Sequence, residues 1–224
     1  MNRMIFVSAC AALVALSALA CGGGGGASTP TAAPSAAETV QPTPNATEQR
    51  QGVEVQTLRS YVLLDTDVGG GYRVGRSAPS NRKDTATAQI GIPSLATYIS
   101  KSDLWGVWGK LFIGDQKALS SVLYLFQTPQ SAGGLVSALA ALKDADYPAA
   151  TSVERAPADK IGDASQMMRY KIPGATTLEY TWAQGRLAGQ VIIRYVGDTE
   201  APDDAALIVV LARKQFERMS RYPQ

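Results

Sequence analysis

The sequence contains no histidine among its 224 residues, and its two cysteines, Cys10 and Cys21, both lie close to the N-terminus. Histidine is the commonest general base and metal ligand at neutral pH, so its absence removes the usual centre of acid–base and zinc chemistry. Without later cysteines, the rest of the chain forms no internal disulfide, zinc cluster or iron–sulfur site. We therefore expect no cofactor and no metal site, and paired carboxylates are the remaining route to hydrolysis.

The chain also lacks an excess of charge of either sign. It has 21 Lys and Arg residues against 19 Asp and Glu, a formal net charge of +2. Proteins that wrap nucleic acid or coat an acidic surface need a much larger basic excess. We expect no nucleic-acid partner.

Residues 1–20 have the composition of a secretory signal peptide. Arg3 and the α-amino group supply positive charge, and an apolar stretch rich in Ala, Leu and Val follows. About 17 apolar residues are short for a transmembrane helix, and no basic cluster follows them to stop transfer. The sequence therefore favours export over a permanent span.

Residues 16–21, Leu-Ser-Ala-Leu-Ala-Cys, followed by Gly22, resemble the lipobox of bacterial lipoproteins. In that family, small or aliphatic residues precede a cysteine that is acylated and becomes the mature N-terminus. The resemblance implies that Cys21 carries acyl chains such as palmitate and anchors the protein to the extracytoplasmic side of the cell membrane. Ala18 departs from the family's usual leucine. The alternative is an ordinary signal peptide with an incidental cysteine.

Residues 21–51 are predicted to be the lipidated cysteine followed by a disordered linker. Five consecutive glycines and a Ser/Thr/Pro-rich segment follow Cys21, and Val40 is the only large apolar residue. Such a segment cannot bury enough surface to offset its backbone entropy. Its root-mean-square span is about 30 Å for a flexible chain. The linker would tether residues 52–224 to the membrane.

Residues 52–224 are predicted to form a single α+β domain. Apolar periodicity predicts strands at 61–64, 72–74, 107–113, 119–126, 152–156, 166–172, 178–182 and 187–196. Helices are predicted at 84–90 and 94–103, after Thr128, and from Pro202. This order favours a mostly antiparallel sheet with helices packed on one face, an α/β sandwich. In residues 177–182, apolar residues alternate with polar ones, which predicts one buried and one solvent-exposed side.

The order of strands and helices is similar to that of uncharacterised Mog1/PsbP-like α/β-sandwich lipoproteins. Short sequence similarities at Ser80-Asn81 and at residues 160–163 support this resemblance. It implies a fold, and it supplies no catalytic residues.

Residues 65–76 begin like a calcium-binding loop. Asp65 and Asp67 occupy ligand positions one and three, but Arg73 and Arg76 stand at positions nine and twelve, where oxygen ligands are needed. We interpret the segment as a polar turn.

Two other patterns have catalytic precedents. Residues 80–83 have the S-x-x-K spacing of penicillin-binding enzymes, but the companion elements of that mechanism are missing. The adjacent acids are Asp144 with Asp146, Asp203 with Asp204, and Asp163. Helix ends and loops account for most of these acids.

Large aromatic side chains are the best candidates for a ligand surface, since aromatic rings line many binding sites. The candidates are Trp105, Trp108, Trp182 and Tyr195, together with Tyr124. The alternative is that these rings pack in the core, as the alternation around Trp182 indicates.

These features favour a lipid-anchored extracytoplasmic domain that binds a small-molecule or protein partner without catalysis. One alternative is a carboxylate-dependent hydrolase of envelope glycans, which needs two convergent acids about 5–10 Å apart. The other is a structural subunit of a membrane complex, which needs an exposed apolar patch. A binding domain needs a cavity of several hundred Å³.

Overall fold

The computed structural model describes residues 45–88, 92–142, 150, 152–196 and 204–223. Within these residues, one sheet contains seven strands: β1 (Arg73–Ser80), β2 (Leu104–Ile113), β3 (Lys117–Phe126), β4 (Ser152–Ala156), β5 (Ala164–Ile172), β6 (Ala175–Gln184) and β7 (Leu187–Val196). The helices are α1 (Ala46–Thr57), α2 (Asp65–Val68), α3 (Arg82–Ala88), α4 (Pro93–Lys101), α5 (Pro129–Ala140) and α6 (Asp204–Met219), with a 3-10 turn at Leu58–Ser60. The predicted antiparallel α+β fold is confirmed.

The sheet joins two meanders. Its strand order is β1-β2-β3-β7-β6-β5-β4, and every neighbouring pair is antiparallel. Strands β1 to β3 follow one another across one half, and α5 then precedes β4 at the far edge. Strands β4 to β7 return towards the centre, where β7 pairs with β3. The pairing of β3 with β7 therefore joins the two halves of the sheet.

Helices cover both faces of the sheet, whereas the sequence predicted helices on one face. The first face carries Phe112, Leu123 and Trp182, which pack in one core with α1 and α6. The second face carries Val107 and Val122, which pack in a separate core with α4 and α5. The prediction was wrong because strand–helix order alone does not specify on which side of a sheet each helix packs.

The N-terminal helix begins earlier than the predicted domain boundary. Asn45 and Glu48 form a capping box, in which each side chain accepts a hydrogen bond from the other residue's backbone N–H at 2.9 Å. Residues 46–51, which were assigned to the linker, therefore form the start of α1. The remainder of the predicted signal peptide and linker, with Cys21, lies outside the described residues.

The predicted strand at residues 61–64 is a turn. Val62 and Leu63 are buried in the first-face core, and the Leu63 N–H donates to Ser121 Oγ at 3.0 Å. A short apolar run shows burial but does not distinguish a strand from a buried turn. The prediction failed for that reason.

The best-marked helices are confirmed. Pro93 occupies the first position of α4, and Thr128 caps α5 by accepting a hydrogen bond from the Ser131 N–H at 3.4 Å. Both features have clear sequence patterns at helix starts.

Gly189 of β7 allows a close approach in the first-face core. A Cβ atom at this position would lie 2.3 Å from Cζ2 of Trp182, whose side chain is 0% exposed. Glycine is therefore required where the indole crosses the neighbouring strand.

Candidate functional site

The second face of the sheet contains a polar network in place of the predicted solvent-exposed side. Thr177, Glu179 and Thr181 are 3%, 5% and 0% exposed, so the prediction that these positions face water was wrong. Alternation showed which residues share a side, and α5 packing against β5, β6 and β7 buries that side too.

Glu179 is the centre of this network. Its Oε1 accepts hydrogen bonds from Gln190 Nε2 at 2.8 Å and Thr181 Oγ1 at 3.2 Å, and its Oε2 accepts one from the Tyr170 hydroxyl at 3.3 Å. Gln190 Oε1 in turn accepts a hydrogen bond from the Tyr124 hydroxyl at 2.9 Å. We call these five residues the polar network, and they connect strands β5, β6, β7 and β3.

The carboxyl group of Glu179 receives its hydrogen bonds from an amide and two hydroxyls, all of them neutral. Burial raises the pKa of Glu179 above its ordinary value, while the hydrogen bonds from Gln190, Thr181 and Tyr170 oppose this rise. Burial also raises the pKa of Tyr124, and the neighbouring Glu179 adds to this effect. The network therefore favours a protonated, uncharged acid in the folded protein.

Gln166 extends the polar character of this face towards β5. It lies opposite Thr181, and its amide nitrogen and oxygen are buried without a hydrogen-bond partner. Unpartnered buried amides are uncommon in folded proteins.

The part of the second face that lies towards β1 is less completely covered. Strand register places Arg76, Leu111 and Ser120 side by side in one row across β1, β2 and β3. The next row runs across β1, β2, β3 and β7 and consists, in that order, of Arg73, Ile113, Ala118 and Arg194. Arg73 is exposed and the other residues of these two rows are partly exposed. We call the seven residues the open patch: Arg73, Arg76, Leu111, Ile113, Ala118, Ser120 and Arg194.

A β-bulge places the two arginines of β1 on the same face. The register between β1 and β2 shifts between Val74 and Arg76, so that Arg73 and Arg76 pair with Ile113 and Leu111. Gly75 at the bulge lies so close to β2 that a Cβ would be 2.5 Å from Ile113 Cδ1. The extra residue therefore aims two guanidinium groups at one side of the sheet.

A hollow of about 520 Å³ adjoins the open patch at the end of β2. Its lining residues are Gly71, Tyr72, Arg73, Ile113, Gly114 and Asp115, of which Arg73 and Ile113 also belong to the open patch. The side chains of Arg73 and Arg76 form no ion pair with the residues that the structure describes. The hollow and the open patch thus combine apolar surface with cationic groups available to a ligand.

The four aromatic residues predicted to face a ligand pack with the first-face core. Trp182 is 0% exposed, Trp108 donates from Nε1 to Ser77 Oγ at 3.0 Å, and Tyr195 lies beneath the Lys117 ammonium, 5.2 Å from its ring centroid. Trp105 is partly exposed and stacks with the Arg186 guanidinium at 4.7 Å. Their predicted contact with a ligand stays a prediction. Tyr124, by contrast, belongs to the polar network.

Two acids of the calcium-like segment take part in ion pairs. Asp65 pairs with Lys110 at 2.6 Å, and Asp67 accepts two hydrogen bonds from Arg218 at 2.5 and 2.8 Å. Burial alone would raise the pKa of Asp67, but hydrogen bonds from Arg218 and from the Leu64 N–H hold this pKa below its ordinary value. These acids therefore connect α2 to β2 and α6.

The remaining predicted acids that the structure describes are also engaged. Asp204 is 3% exposed and pairs with Lys117 at 3.0 Å, and Asp163 accepts a hydrogen bond from the Gly185 N–H at 3.0 Å. Asp144, Asp146 and Asp203 lie outside the described residues. Among the residues described, no group of three or more Cys, Asp or Glu side chains is arranged to hold a metal ion.

Sequence reasoning missed the open patch because its members come from four strands that are distant in the chain. In the sequence, Arg73 and Arg76 stand out only because they occupy positions where a calcium loop needs oxygen ligands. The pattern that could have indicated the site is the alternation in β6, taken together with the arginines of β1 and β7. Whether these arginines lie on the same face depends on the order of the strands in the sheet, which cannot be predicted from the sequence alone.

None of the helices in the described part of the chain is long and apolar enough to cross a membrane. The sequence matches no protein-family model and no curated protein. Among solved structures, the chain is similar to the extracellular domain of PknH from Mycobacterium tuberculosis, with a TM-score of 0.50 and 10% identity over 73% of this chain and 96% of that domain. An uncharacterised protein from Mycobacterium smegmatis aligns with a TM-score of 0.38 and 11% identity, over 72% and 93% of the two chains. The likeness to the PknH domain shows a shared fold.

Proposed function

We propose that the protein is a lipid-anchored extracytoplasmic binding protein, and that its domain takes up a ligand at the open patch without catalysing a reaction. The signal-like residues 1–20 and the lipobox-like residues 16–21 support export and anchoring at Cys21. The shared fold with an extracellular domain is compatible with this location. The Mog1/PsbP-like resemblance stays a prediction.

The observation that carries the proposal is the incomplete cover of the second face. Leu111 and Ile113 are partly exposed at the end of β2, whereas Val107 and Gly109, which precede them on the same face, are buried. Covering such apolar surface contributes roughly 25 cal/mol per Å². A ligand that fills the hollow and lies along β2 would gain this contribution.

The acidic side chains are engaged in ion pairs or buried, which favours a binding function over hydrolysis. A glycan hydrolase needs one carboxyl group to donate a proton and a second to act as nucleophile or base. Asp65, Asp67 and Asp204 are held in ion pairs, and Glu179 lies beneath the surface among neutral donors.

Native mass spectrometry of the full lipoprotein, extracted from its own membrane, tests the proposal. We expect an adduct of defined mass that dissociates on denaturation. Leu111→Asp should lose the adduct, because a charge enters the apolar floor of the open patch. Val210→Asp is the matched control, since Val210 is 49% exposed on α6 and its charge should leave the adduct in place.

Ser120→Trp provides a second variant, which fills the open patch without adding a charge. It should also displace the adduct while thermal unfolding stays cooperative. A wild-type protein without an adduct, or an adduct that survives both patch variants, would contradict the proposal.

A further inference from the structure

We infer that the ligand of the open patch is an anionic phospholipid with a hydroxylated head group, whose phosphate is held by Arg73 and Arg76. This inference rests on the proposed function and names the chemical class of its ligand.

The charges around the hollow favour a singly charged anion. Arg73 and Arg76 supply two guanidinium groups, and Asp115 supplies one carboxylate at the edge of the hollow. The three side chains together carry a net positive charge. Guanidinium groups bind phosphate oxygens through paired, charge-assisted hydrogen bonds. A carboxylate beside them accepts hydrogen bonds from hydroxyl groups but repels a second negative charge.

The arrangement of the two arginines suits one phosphate. Their partners Leu111 and Ile113 are two residues apart on β2, which corresponds to about 7 Å along the strand. Arginine side chains on one face at this spacing can converge on a single group. The bulge at Gly75 provides this placement, because it puts Arg76 on the same face as Arg73.

The apolar floor suits the part of a lipid next to its phosphate. Leu111, Ile113 and Ala118 are neighbours across β2 and β3, and all three are partly exposed. The hollow of about 520 Å³ falls within the size range of small-molecule sites. A polar head group in the hollow would leave the glycerol backbone and the start of its acyl chains along this floor.

The tether argues for the membrane as the source of the ligand. The linker predicted from composition between Cys21 and Asn45 would have a root-mean-square span of roughly 30 Å if it is a flexible chain. An anchored domain would therefore lie, on average, within a few tens of Å of the bilayer, where phospholipid is abundant. Tethering raises the effective concentration of a partner, so even a shallow site would be occupied.

The test uses residues 22–224, expressed without the signal-like segment and without Cys21, so that the protein carries no acyl chain and needs no detergent. Calorimetric titration with dihexanoyl-phosphatidylglycerol, kept below its micellar concentration, should show binding. Dihexanoyl-phosphatidylcholine has no net charge and should bind at least about tenfold more weakly. The double variant Arg73→Gln/Arg76→Gln should remove this preference.

The control is Arg59→Gln/Arg221→Gln, which removes two exposed arginines outside the open patch and should keep the preference. Loss of preference in this control, or its persistence in the patch variant, would overturn the inference. The inference would also be overturned if both lipids bind equally well. If Leu111→Asp then abolishes this binding, the open patch remains a binding site. If neither lipid binds and the native adduct persists, only the lipid class is wrong. If the native adduct is missing as well, the proposed function fails too.

Discussion

At the scale of single residues, Glu179 gives the stability of the fold an unusual dependence on pH. Most carboxylates in folded proteins are ionised and paired, so acid destabilises the native state. Glu179 is buried among neutral donors and its pKa is raised, which reverses this sign. Between its ordinary value of 4.5 and its raised value, the folded state holds a proton that the unfolded state has lost. This group's contribution to the free energy of unfolding therefore falls as pH increases through that window.

Glu179→Gln should remove this contribution. Glutamine has the same shape as protonated glutamic acid and can keep the hydrogen bonds to Gln190 and Tyr170. We expect the variant to match the wild type near pH 4 and to become the more stable protein as pH rises, by about 1.4 kcal/mol for each unit of pKa difference. Urea unfolding at several pH values measures this difference.

Glu154→Gln is the matched control, because the Glu154 side chain is 57% exposed at the edge strand β4. It should change stability by less than about 0.5 kcal/mol across the same range. A constant difference between Glu179→Gln and wild type at all pH values would show that Glu179 does not titrate in this window.

At the scale of secondary-structure elements, Ser121 connects three parts of the chain. Its hydroxyl accepts from the Leu63 N–H at 3.0 Å and donates to Gln215 Oε1 at 2.8 Å, while Gln215 Nε2 donates to the Val122 carbonyl at 2.9 Å. These contacts hold the turn after α1, strand β3 and helix α6 together. Ser121 and Gln215 are both 0% exposed, so no water replaces a lost bond.

Ser121→Ala should cost about 1–3 kcal/mol of unfolding free energy, because it leaves the Leu63 N–H and Gln215 Oε1 unpaired. Ser120→Ala changes the next residue of β3, which is partly exposed on the second face, and should cost less than about 0.5 kcal/mol. Chemical denaturation of both variants gives the comparison. Equal losses in the two variants would contradict this role of Ser121.

The elements that the sequence predicts well are those with local patterns. Turn residues mark the β2–β3 hairpin, and Thr128 and Pro93 mark the starts of two helices. Apolar periodicity over a few turns marks the terminal helix. The pairing of β3 with β7 and the burial of Glu179 depend on residues far apart in the chain. For that reason the antiparallel fold could be predicted, while the second helical layer and the open patch could not.

At the scale of the whole molecule, Cys21 is predicted to decide where the protein resides. Two or more acyl chains on one cysteine anchor a protein stably, without a membrane-spanning helix. Cys21→Ser should therefore abolish acylation and the cleavage that depends on it, so that residues 1–20 stay attached, whereas Cys10→Ser should leave the acylated mature N-terminus unchanged. Fractionation, with the mass of the mature N-terminal peptide, measures this. A wild-type chain that is soluble and unacylated would favour the ordinary signal peptide.

The pairing of β3 with β7 has a consequence for the order in which the chain folds. Residues of β3 are synthesised well before residue 187, where β7 begins, and β3 stays an edge strand until then. The β2–β3 hairpin can form from local contacts, but the central sheet must await the pairing of β3 with β7, which has a high contact order and is slow. During that interval β3 is a template for pairing with other chains. Correct folding of this chain therefore requires β7 to pair with β3 before a strand from another molecule does.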